Sequence, residues 1–256
     1  MDLRATWLRH RELWSFAAGA AIVGALAFAV YAGARSVDDR IGTADRVAVE
    51  QVVHDYILAH PEIIPEAING IQLREVTKVL NANRREIETP FAGSYAGNAT
   101  GDVVLVEFFD YACPYCRAAD ADIRKLIASD PGLKVVYRDF PVLSPESGEA
   151  ALASLAAAQQ GRYAAFHDRL FDDAGAVSRE RVVATMRSAG LDERRTAIDM
   201  GKSALRAEIK KNLELGRLLG LSGTPSFIIG NKILSGAVGL AALQSAVAAA
   251  RAAKTG

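Results

Sequence analysis

Hydrophobic residues along the chain fall into three successive patterns. Residues 13–34 form an uncharged apolar run, which would measure about 33 Å at the helical rise of about 1.5 Å per residue. Residues 36–90 show helical spacing, with apolar positions from Val49 to Ile57 at intervals of three and four. From residue 102 onward, short apolar runs alternate with helical patterns. We therefore divide the chain into an N-terminal segment at 1–35, a helical region at 36–90 and an α/β domain at 91–256.

The N-terminal apolar run is long enough to cross a bilayer core. Arg4, Arg9 and Arg11 precede it, and the positive-inside rule then leaves everything after residue 35 on the far side of the membrane. We interpret residues 1–35 either as an uncleaved transmembrane anchor or as a signal sequence that is cleaved after Ala34. A buried helix of a soluble protein is the third interpretation, and the length of the run argues against it.

The helical region is predicted to contain two short amphipathic helices. His60-Pro61 separates them, because a residue before proline avoids the α conformation. The second pattern starts near Pro61 and fades at residues 81–85. Helices of this length cannot bury their apolar stripes alone, so we expect them to pack on the next domain, on the membrane surface or on copies of themselves. Residues 91–100, rich in Gly, Ser, Asn and Ala, are predicted to be a linker.

The α/β domain begins with a near-continuous apolar run at residues 102–110, which is typical of a buried central strand. Ser144 and Pro145 are typical of a helix start. The further predictions are a helix to Ser129, a strand at 134–142, broken helices to Leu219, a hairpin at 226–229 and 232–235, and a helix at 240–253. This order predicts an α/β fold: a thioredoxin-like sandwich with a helical insertion at about 145–219, preceded by a short all-α region and one transmembrane helix.

Charge and cysteine content narrow the function. Basic and acidic residues number 30 each, so nothing favours nucleic acid as a partner. The chain has two cysteines, Cys113 and Cys116, which excludes a multi-disulfide framework and a four-cysteine zinc site. Both belong to one C-x-x-C sequence.

The C-x-x-C spacing at a helix start brings two sulfurs close enough to bond. The first thiol also faces the unpaired N–H groups and the positive end of the helix dipole, which stabilise a thiolate. We therefore predict that Cys113 is the reactive thiol, that Cys116 is the less exposed resolving thiol, and that the two form a redox-active disulfide. A purely structural disulfide would close too short a loop to stabilise much. A metal site lacks ligands, because the four histidines lie away from the motif in the sequence.

Three stretches resemble those of known proteins. Val106-Glu107-Phe108-Phe109-Asp110-Tyr111-Ala112-Cys113-Pro114-Tyr115-Cys116 is similar to the active-site sequence of DsbA-family thiol–disulfide oxidoreductases. Gly223-Thr224-Pro225-Ser226-Phe227 resembles the cis-proline loop of thioredoxin-like folds, and Arg138-Asp139-Phe140-Pro141-Val142-Leu143 resembles the second strand of the family. The resemblance covers about residues 91–256. Residues 46–85 resemble the N-terminal helices of the ScsC-like, suppressor-of-copper-sensitivity branch, which form a trimer in some members.

The resemblance assigns roles to individual residues. It implies that the backbone of Thr224 binds a substrate peptide and that a cis bond at Pro225 holds that loop beside the nucleophile. It also implies that Glu107 is a buried acid beneath the motif and a candidate proton relay for Cys116. The alternative for Glu107 is a solvent-exposed carboxylate at the end of a strand.

The remaining site candidates lie in and beyond the motif. Pro114 and Tyr115 complete the Cys-Pro-Tyr-Cys sequence, and Tyr115 stands where the most oxidising members carry a histidine, so extreme oxidising strength is not expected. His167 could be taken as catalytic, but we interpret it as a helix residue of the insertion, because the thiol chemistry already has its parts.

The expected function is that of an exported thiol–disulfide oxidoreductase, either an oxidase or an isomerase, that acts on cysteine-containing exported proteins. The expected location is the periplasmic side of the bacterial inner membrane, anchored or soluble after cleavage. No bound cofactor is expected, because the cysteine pair is the redox centre. Electrons would pass through a DsbB-like or DsbD/ScsB-like membrane partner, and residues 46–85 would form a homotrimer. The alternative is a non-catalytic, anchored, oligomeric chaperone or metal-handling protein with the same fold.

Overall fold

The structure is a computed structural model that describes residues 43–173 and 175–255. Residues 1–35, interpreted above as an anchor or signal sequence, lie outside the described residues. Among the helices that the structure does describe, none combines the length and the apolar character needed to span a bilayer. The chain divides into two compact units, Met1–Gly70 and Ile71–Gly256.

Two helices precede the sheet, α1 at Thr43–Ala59 and α2 at Ile63–Glu88. The chain leaves the helical conformation between them at His60-Pro61, as the sequence predicts. Helix α2 is longer than predicted and ends at Glu88 rather than near residue 85. Most of the apolar stripe predicted for α1 is exposed to solvent, with Val52 at 68%.

The sheet has five strands in the described residues, and its spatial order is β1-β3-β2-β4-β5. Their bounds are β1 Tyr95–Gly97, β2 Val103–Phe109, β3 Leu133–Asp139, β4 Ser226–Ile229 and β5 Lys232–Ser235. Strands β2 and β3 are parallel, and the other neighbouring pairs are antiparallel. The prediction of a buried central strand and of a C-terminal hairpin is therefore confirmed.

Strand β1 corrects the prediction of a linker at residues 91–100. Tyr95 and Ala96 pair with Val136 and Val135 of β3. Only three residues form the strand, so no alternating pattern marks it in the sequence. At its end, Gly97 has a φ of +77°, and an added Cβ would lie 2.5 Å from the Leu133 carbonyl oxygen. A glycine is required there because the backbones approach so closely.

Strand β3 ends at Asp139, whereas the sequence predicted an end at Val142. Pro141 has no N–H group to donate to a neighbouring strand. The next two N–H groups, those of Val142 and Leu143, donate to the carboxylate of Asp110 instead of continuing the sheet. The early end of β3 thus frees a loop that contacts Asp110, three residues before Cys113.

Seven further helices occupy the second unit within the described residues. Their bounds are α3 Pro114–Ser129, α4 Pro145–Gln159, α5 Tyr163–Asp172, α6 Arg179–Ser188, α7 Glu193–Met200, α8 Ser203–Leu218 and α9 Leu240–Thr255. Helix α4 begins as predicted, because the Ser144 side chain accepts the N–H of Ser147 and Pro145 is the first helical residue. The break at Gly201-Lys202, between α7 and α8, was not predicted.

Successive side chains of β2 belong alternately to two apolar layers, one on each face of the sheet. Leu105 and Phe109 belong to one core, which includes side chains of α3, α5 and α9. Val106 and Phe108 belong to the other, with Leu80 of α2 and further side chains of α8. A mixed sheet covered by helices on both faces is a thioredoxin-like α/β sandwich, as predicted.

A buried arginine joins three elements on the second face of the sheet. Arg138 of β3 donates to the carbonyls of Ile87 and Thr89 at the C-terminal end of α2. It also forms an ion pair with Glu208 of α8, with 2.8 Å between Nη1 and Oε1. The guanidinium group therefore satisfies carbonyls that a helix end leaves unpaired.

Candidate functional site

A buried carboxylate shapes the turn between β2 and α3. The Asp110 carboxylate accepts the N–H of Ala112 at 2.8 Å and the N–H groups of Val142 and Leu143 at 2.9 and 3.0 Å. The Asp110 carbonyl accepts the N–H of Cys113 at 3.0 Å. This residue was not identified as functional from the sequence. An acid directly after a buried strand and before C-x-x-C is the signal that could have found it, because Asp side chains commonly bond the backbone two residues on.

Cys113 is the N-cap residue of α3, and Pro114 is its first helical residue. Cys113 is thus at the helix end whose first N–H groups have no partner within the helix, although its side chain makes no capping hydrogen bond in this structure. Cys113 is 4% exposed and Cys116 is 0% exposed, and both are free thiols in this structure. Pro114 and Tyr115 are exposed, Tyr115 at 66%. The arrangement gives one thiol at the helix end and one enclosed behind it.

The loop before β4 lies against the first thiol. The Thr224–Pro225 peptide bond is cis, and β4 begins at the next residue, Ser226. The Cys113 Sγ donates to the Thr224 carbonyl oxygen at a distance of 3.3 Å. The fold therefore brings together two sequence stretches separated by 111 residues.

Cys116 lies in an environment that disfavours a thiolate. Burial raises the pKa of the Cys116 thiol, and the nearby Glu107 carboxyl raises it further. A base must therefore remove the Cys116 proton before this sulfur can act as a nucleophile.

Glu107 lies in β2, and its position excludes the solvent-exposed alternative. The residue is completely buried, and neither of its carboxyl oxygens has a hydrogen-bond partner among the described residues. Burial raises the pKa of Glu107 well above its ordinary value, and the charges of Asp120 and Cys113 add to this effect. The group therefore keeps its proton to a higher pH than an ordinary glutamate does.

A cluster of polar groups lies behind the cysteine pair. His167 of α5 is buried, with its Nδ1 atom 3.1 Å from the Tyr111 hydroxyl and its Nε2 atom 3.5 Å from Asp120 Oδ1. Asp120 of α3 also lies 2.6 Å from the Arg124 guanidinium. His167 is thus a helix residue of the insertion, as interpreted from the sequence, but its contact with Asp120 was not predicted.

The two sulfurs of Cys113 and Cys116 are groups of this site that can undergo redox chemistry. The structure describes no cluster of three or more His, Cys, Asp or Glu side chains suited to hold a metal ion, within residues 43–173 and 175–255. The reactive groups near the start of α3 are the thiols of Cys113 and Cys116 and the carboxyl group of Glu107.

Two protein families match different parts of the chain. Residues 104–248 match the DSBA-like thioredoxin domain. Residues 45–76 match the N-terminal domain of the copper resistance protein ScsC. The first match contains the cysteine motif, Glu107 and the cis-proline loop, and the second lies in α1 and α2.

Solved structures are similar over most of the chain. A thioredoxin-like oxidoreductase from Silicibacter pomeroyi is 41% identical, covers 66% of this chain and 98% of its own, and has a TM-score of 0.64. A linker-deletion mutant of ScsC from Proteus mirabilis is 29% identical, covers 82% and 96%, and has a TM-score of 0.66. A periplasmic thioredoxin-like protein from Salmonella enterica serovar Typhimurium is 27% identical, covers 67% and 97%, and has a TM-score of 0.59.

Curated relatives are longer than this chain. The Na⁺/H⁺ antiporter NhaA 1 of Salinispora arenicola is 28% identical over 156 residues, which are 60% of this chain and 24% of the antiporter. The chain thus spans about a quarter of the length of the curated relatives it matches. The similarity concerns that part of the antiporters alone.

Proposed function

This chain belongs to the DSBA-like thioredoxin domain family, and we propose that it is a thiol–disulfide oxidoreductase that exchanges disulfides with cysteine-containing proteins. One observation carries the proposal: the Cys113 sulfur lies at the start of α3 and 3.3 Å from the Thr224 carbonyl, with Cys116 buried behind it. The N–H groups at a helix start stabilise a thiolate, and a neighbouring backbone carbonyl offers a binding point for a peptide.

Disulfide exchange at this site is a two-step transfer. A substrate thiolate attacks the Cys113 sulfur of the oxidised pair, the bond between Cys113 and Cys116 breaks, and the Cys116 sulfur leaves with the electron pair. A second substrate thiolate then attacks the substrate sulfur of the mixed disulfide and releases the Cys113 thiolate. The substrate loses two electrons and the cysteine pair gains them. The N–H groups at the start of α3 stabilise the released Cys113 thiolate.

Glu107 serves as the proton relay in this scheme. Burial raises the pKa of its carboxyl group well above the ordinary value, so the group keeps a proton that it can donate to the leaving Cys116 sulfur. In the reverse direction the Glu107 carboxylate takes the proton of the Cys116 thiol, which then attacks Cys113. A buried relay is needed because burial raises the pKa of Cys116.

Thr224, Pro225, Pro114 and Tyr115 form the substrate-binding surface in this proposal. A peptide that lies along the loop at Thr224 would bond to its backbone and carry its cysteine to Cys113. The exposed ring of Tyr115 offers apolar area to the same peptide. Pro114 carries no N–H group at the helix start, where such a group would have no partner within the helix.

We also propose that residues 46–85 form a homotrimer, an assembly that would suit the isomerisation of wrong disulfides. The match of residues 45–76 to the ScsC N-terminal domain supports this oligomer. Large apolar side chains exposed in α1 and α2 support it as well, because such groups are usually covered by a partner. They are Val47, Val49, Val52, Val53, Tyr56, Leu58, Ile64, Ile68, Ile71 and Leu73.

The protein would work in the periplasm, either anchored by residues 1–35 or soluble after cleavage. The uncharged run at 13–34 and the similarity to a periplasmic protein of Salmonella enterica support this location. Its substrates would be exported proteins, and a DsbB-like or DsbD/ScsB-like membrane protein would exchange electrons with it. The cysteine pair itself would be the redox centre, with no bound cofactor.

Refolding of ribonuclease tests the activity and its direction. The reduced full chain is added to ribonuclease with scrambled disulfides, and the oxidised full chain is added to reduced ribonuclease. We expect recovery of ribonuclease activity in at least one arm, its loss in Cys113→Ala, and an accumulated mixed disulfide in Cys116→Ala. Glu214→Gln, on the exposed side of α8, is the matched control. Full activity of Cys113→Ala would overturn the proposal.

Sedimentation equilibrium tests the oligomer separately. A trimer mass for the full chain, and a monomer mass for Val52→Glu, would support assembly through α1, because a buried carboxylate is costly. A monomer mass for the unmodified chain would exclude the trimer without affecting the exchange activity. Recovery of scrambled ribonuclease together with a trimer mass would identify an isomerase.

A further inference from the structure

A second buried carboxyl group lies beneath the cysteine pair. Asp120 is 3% exposed and stands one helical turn after Cys116 in α3. Its Oδ2 atom is 2.6 Å from the guanidinium of Arg124, and its Oδ1 atom is 3.5 Å from the imidazole of His167. Burial is the largest single influence on the pKa of Asp120, and it raises that pKa. The contacts with His167 and Arg124 together lower it by more, so the pKa of Asp120 is below its ordinary value. Asp120 is therefore an ionised carboxylate in the protein interior.

Asp120 and Glu107 belong to the same buried layer. In β2, Glu107 alternates with Val106 and Phe108 and so lies on the same face as Leu105 and Phe109, which pack against α3 and α5. Its cross-strand neighbour in β3 is Tyr137, whose ring centroid is 4.3 Å from that of His167. The layer therefore holds one carboxyl group that contacts Arg124 and His167, and one without any hydrogen-bond partner among the described residues.

We propose that Asp120, kept ionised by Arg124 and His167, is a positioning residue that holds the proton on Glu107 and thereby controls when the Cys116 thiol can be deprotonated. Two carboxyl groups in one layer of low dielectric cannot both ionise at low cost, so the group that is paired with the Arg124 guanidinium takes the charge. This inference rests on the proposed exchange activity and adds a residue to it.

The charged and titratable groups around this pair come from each packed element. Those facing Glu107 or Asp120 are Cys113, Cys116 and Arg124 of the motif and α3, Tyr111 before it, Tyr137 of β3, and Tyr163, His167 and Asp168 of α5. Arg124 and His167 favour the charge on Asp120. The charge of Asp120 is the largest electrostatic influence on the pKa of Glu107 after burial.

The step that Asp120 would control is resolution of the mixed disulfide. The Glu107 carboxylate takes the proton of the Cys116 thiol, the Cys116 sulfur attacks Cys113, and the Cys113–substrate bond breaks. The substrate leaves as a thiolate with the electron pair and is protonated by solvent. The step therefore accelerates as Glu107 ionises with rising pH. If the charge of Asp120 is removed, Glu107 ionises at lower pH and the acceleration begins at lower pH.

Two measurements on the full chain test the inference. The first is the pH titration of the side-chain carboxyl carbon of Glu107 by NMR, assigned with Glu107→Gln. The second is the rate at which a preformed mixed disulfide with a fluorescent cysteine peptide is resolved, measured as a function of pH. In Asp120→Asn both midpoints are expected to fall by about one pH unit or more, which is about tenfold in proton affinity. Asp120→Glu, which restores the charge, is expected to restore the midpoints.

The controls separate this electrostatic role from a structural one. Asp168→Asn removes a half-exposed carboxylate 3.6 Å from the same Arg124, and it is expected to leave both midpoints in place. In the Glu107→Gln background, Asp120→Asn is expected to leave the pH profile of resolution unchanged. If Asp120→Asn does not fold, Asp120→Ser provides a second neutral variant.

The outcomes distinguish the inference from the proposed function. Unshifted midpoints in an active Asp120→Asn chain would overturn the role of Asp120 alone, and so would an equal shift in Asp168→Asn. A shift that persists in the Glu107→Gln background would overturn the route through Glu107. Failure of the unmodified chain to resolve any mixed disulfide would overturn the proposed function, and with it the role of Asp120.

Discussion

Asp139 provides a direct test of the buried electrostatics, because its protonation should make stability depend on pH. The residue ends β3 and is 1% exposed. Its Oδ2 atom accepts the Ser154 hydroxyl at 3.4 Å, and its Oδ1 atom has no partner among the described residues. Burial raises the pKa of Asp139 to about 8, from 3.8 for an ordinary aspartate. We predict that Asp139→Asn removes a large part of the pH dependence of stability between about pH 4 and pH 8.

The sign follows from proton binding. Between these two pKa values the folded chain keeps the Asp139 proton and the unfolded chain has lost it, so the free energy of unfolding falls as pH rises. Each pH unit corresponds to about 1.4 kcal/mol for one such group. From pH 5 to pH 7, the difference in the free energy of unfolding between the original chain and Asp139→Asn should change by about 2.7 kcal/mol, in favour of the variant at pH 7.

Urea unfolding of both reduced chains at pH 5, 6 and 7 measures this difference. Other buried acids, such as Glu107, titrate in both proteins, so the comparison isolates Asp139. Glu214→Gln, in which an exposed carboxylate is removed, should give a curve parallel to that of the original chain. The reasoning is refuted if Asp139→Asn also runs parallel to the original chain from pH 5 to pH 7.

Three other substitutions have defined outcomes. Tyr115→His adds a group that stabilises the Cys113 thiolate, so the equilibrium constant with glutathione should shift toward the reduced chain by about tenfold, or about 30 mV in reduction potential. An unchanged equilibrium constant would contradict the effect assigned to this position. Arg138→Met removes the 2.8 Å ion pair with Glu208, which keeps Lys211 as a partner, and leaves the Ile87 and Thr89 carbonyls without their donor. It should lower the free energy of unfolding by about 2–4 kcal/mol in urea, whereas a loss below about 1 kcal/mol would contradict the role given to this guanidinium group. Asp110→Ala removes three hydrogen bonds to backbone N–H groups, so it should lower the free energy of unfolding by about 2–4 kcal/mol and slow the refolding of ribonuclease. Normal stability and normal refolding rates would show that the turn does not need this carboxylate.

Local signals made much of the fold predictable. The apolar run of β2, the hairpin of β4 and β5, and the Ser144-Pro145 helix start each depend on residues close together in the sequence, and the structure confirms all three. Strand β1 has only three residues, and it exists because β3 offers it a partner. A pattern of hydrophobicity cannot reveal an element whose stability comes from a distant strand.

The same distinction applies to the site. The cysteine pair was evident because its chemistry depends on spacing within one helical turn. In the cluster behind the cysteine pair, the His167 imidazole contacts Asp120. The same imidazole contacts Tyr111, which is 56 residues away in the sequence. Arg138 likewise reaches Glu208, 70 residues on. Such contacts depend on which helices the insertion places over the sheet, and no local pattern encodes that choice.

The hydrogen bond between the Cys113 thiol and the Thr224 carbonyl has a consequence for the release of products. While Cys113 is a protonated thiol, this bond occupies one lone pair of the carbonyl oxygen. In the oxidised chain the sulfur carries no hydrogen, and the carbonyl is free to accept an N–H from a peptide. A peptide therefore competes with the thiol for this oxygen only after electrons have been transferred. Once the chain has oxidised its substrate and Cys113 has taken up a proton, the site should hold its partner more weakly, which favours release of the oxidised product.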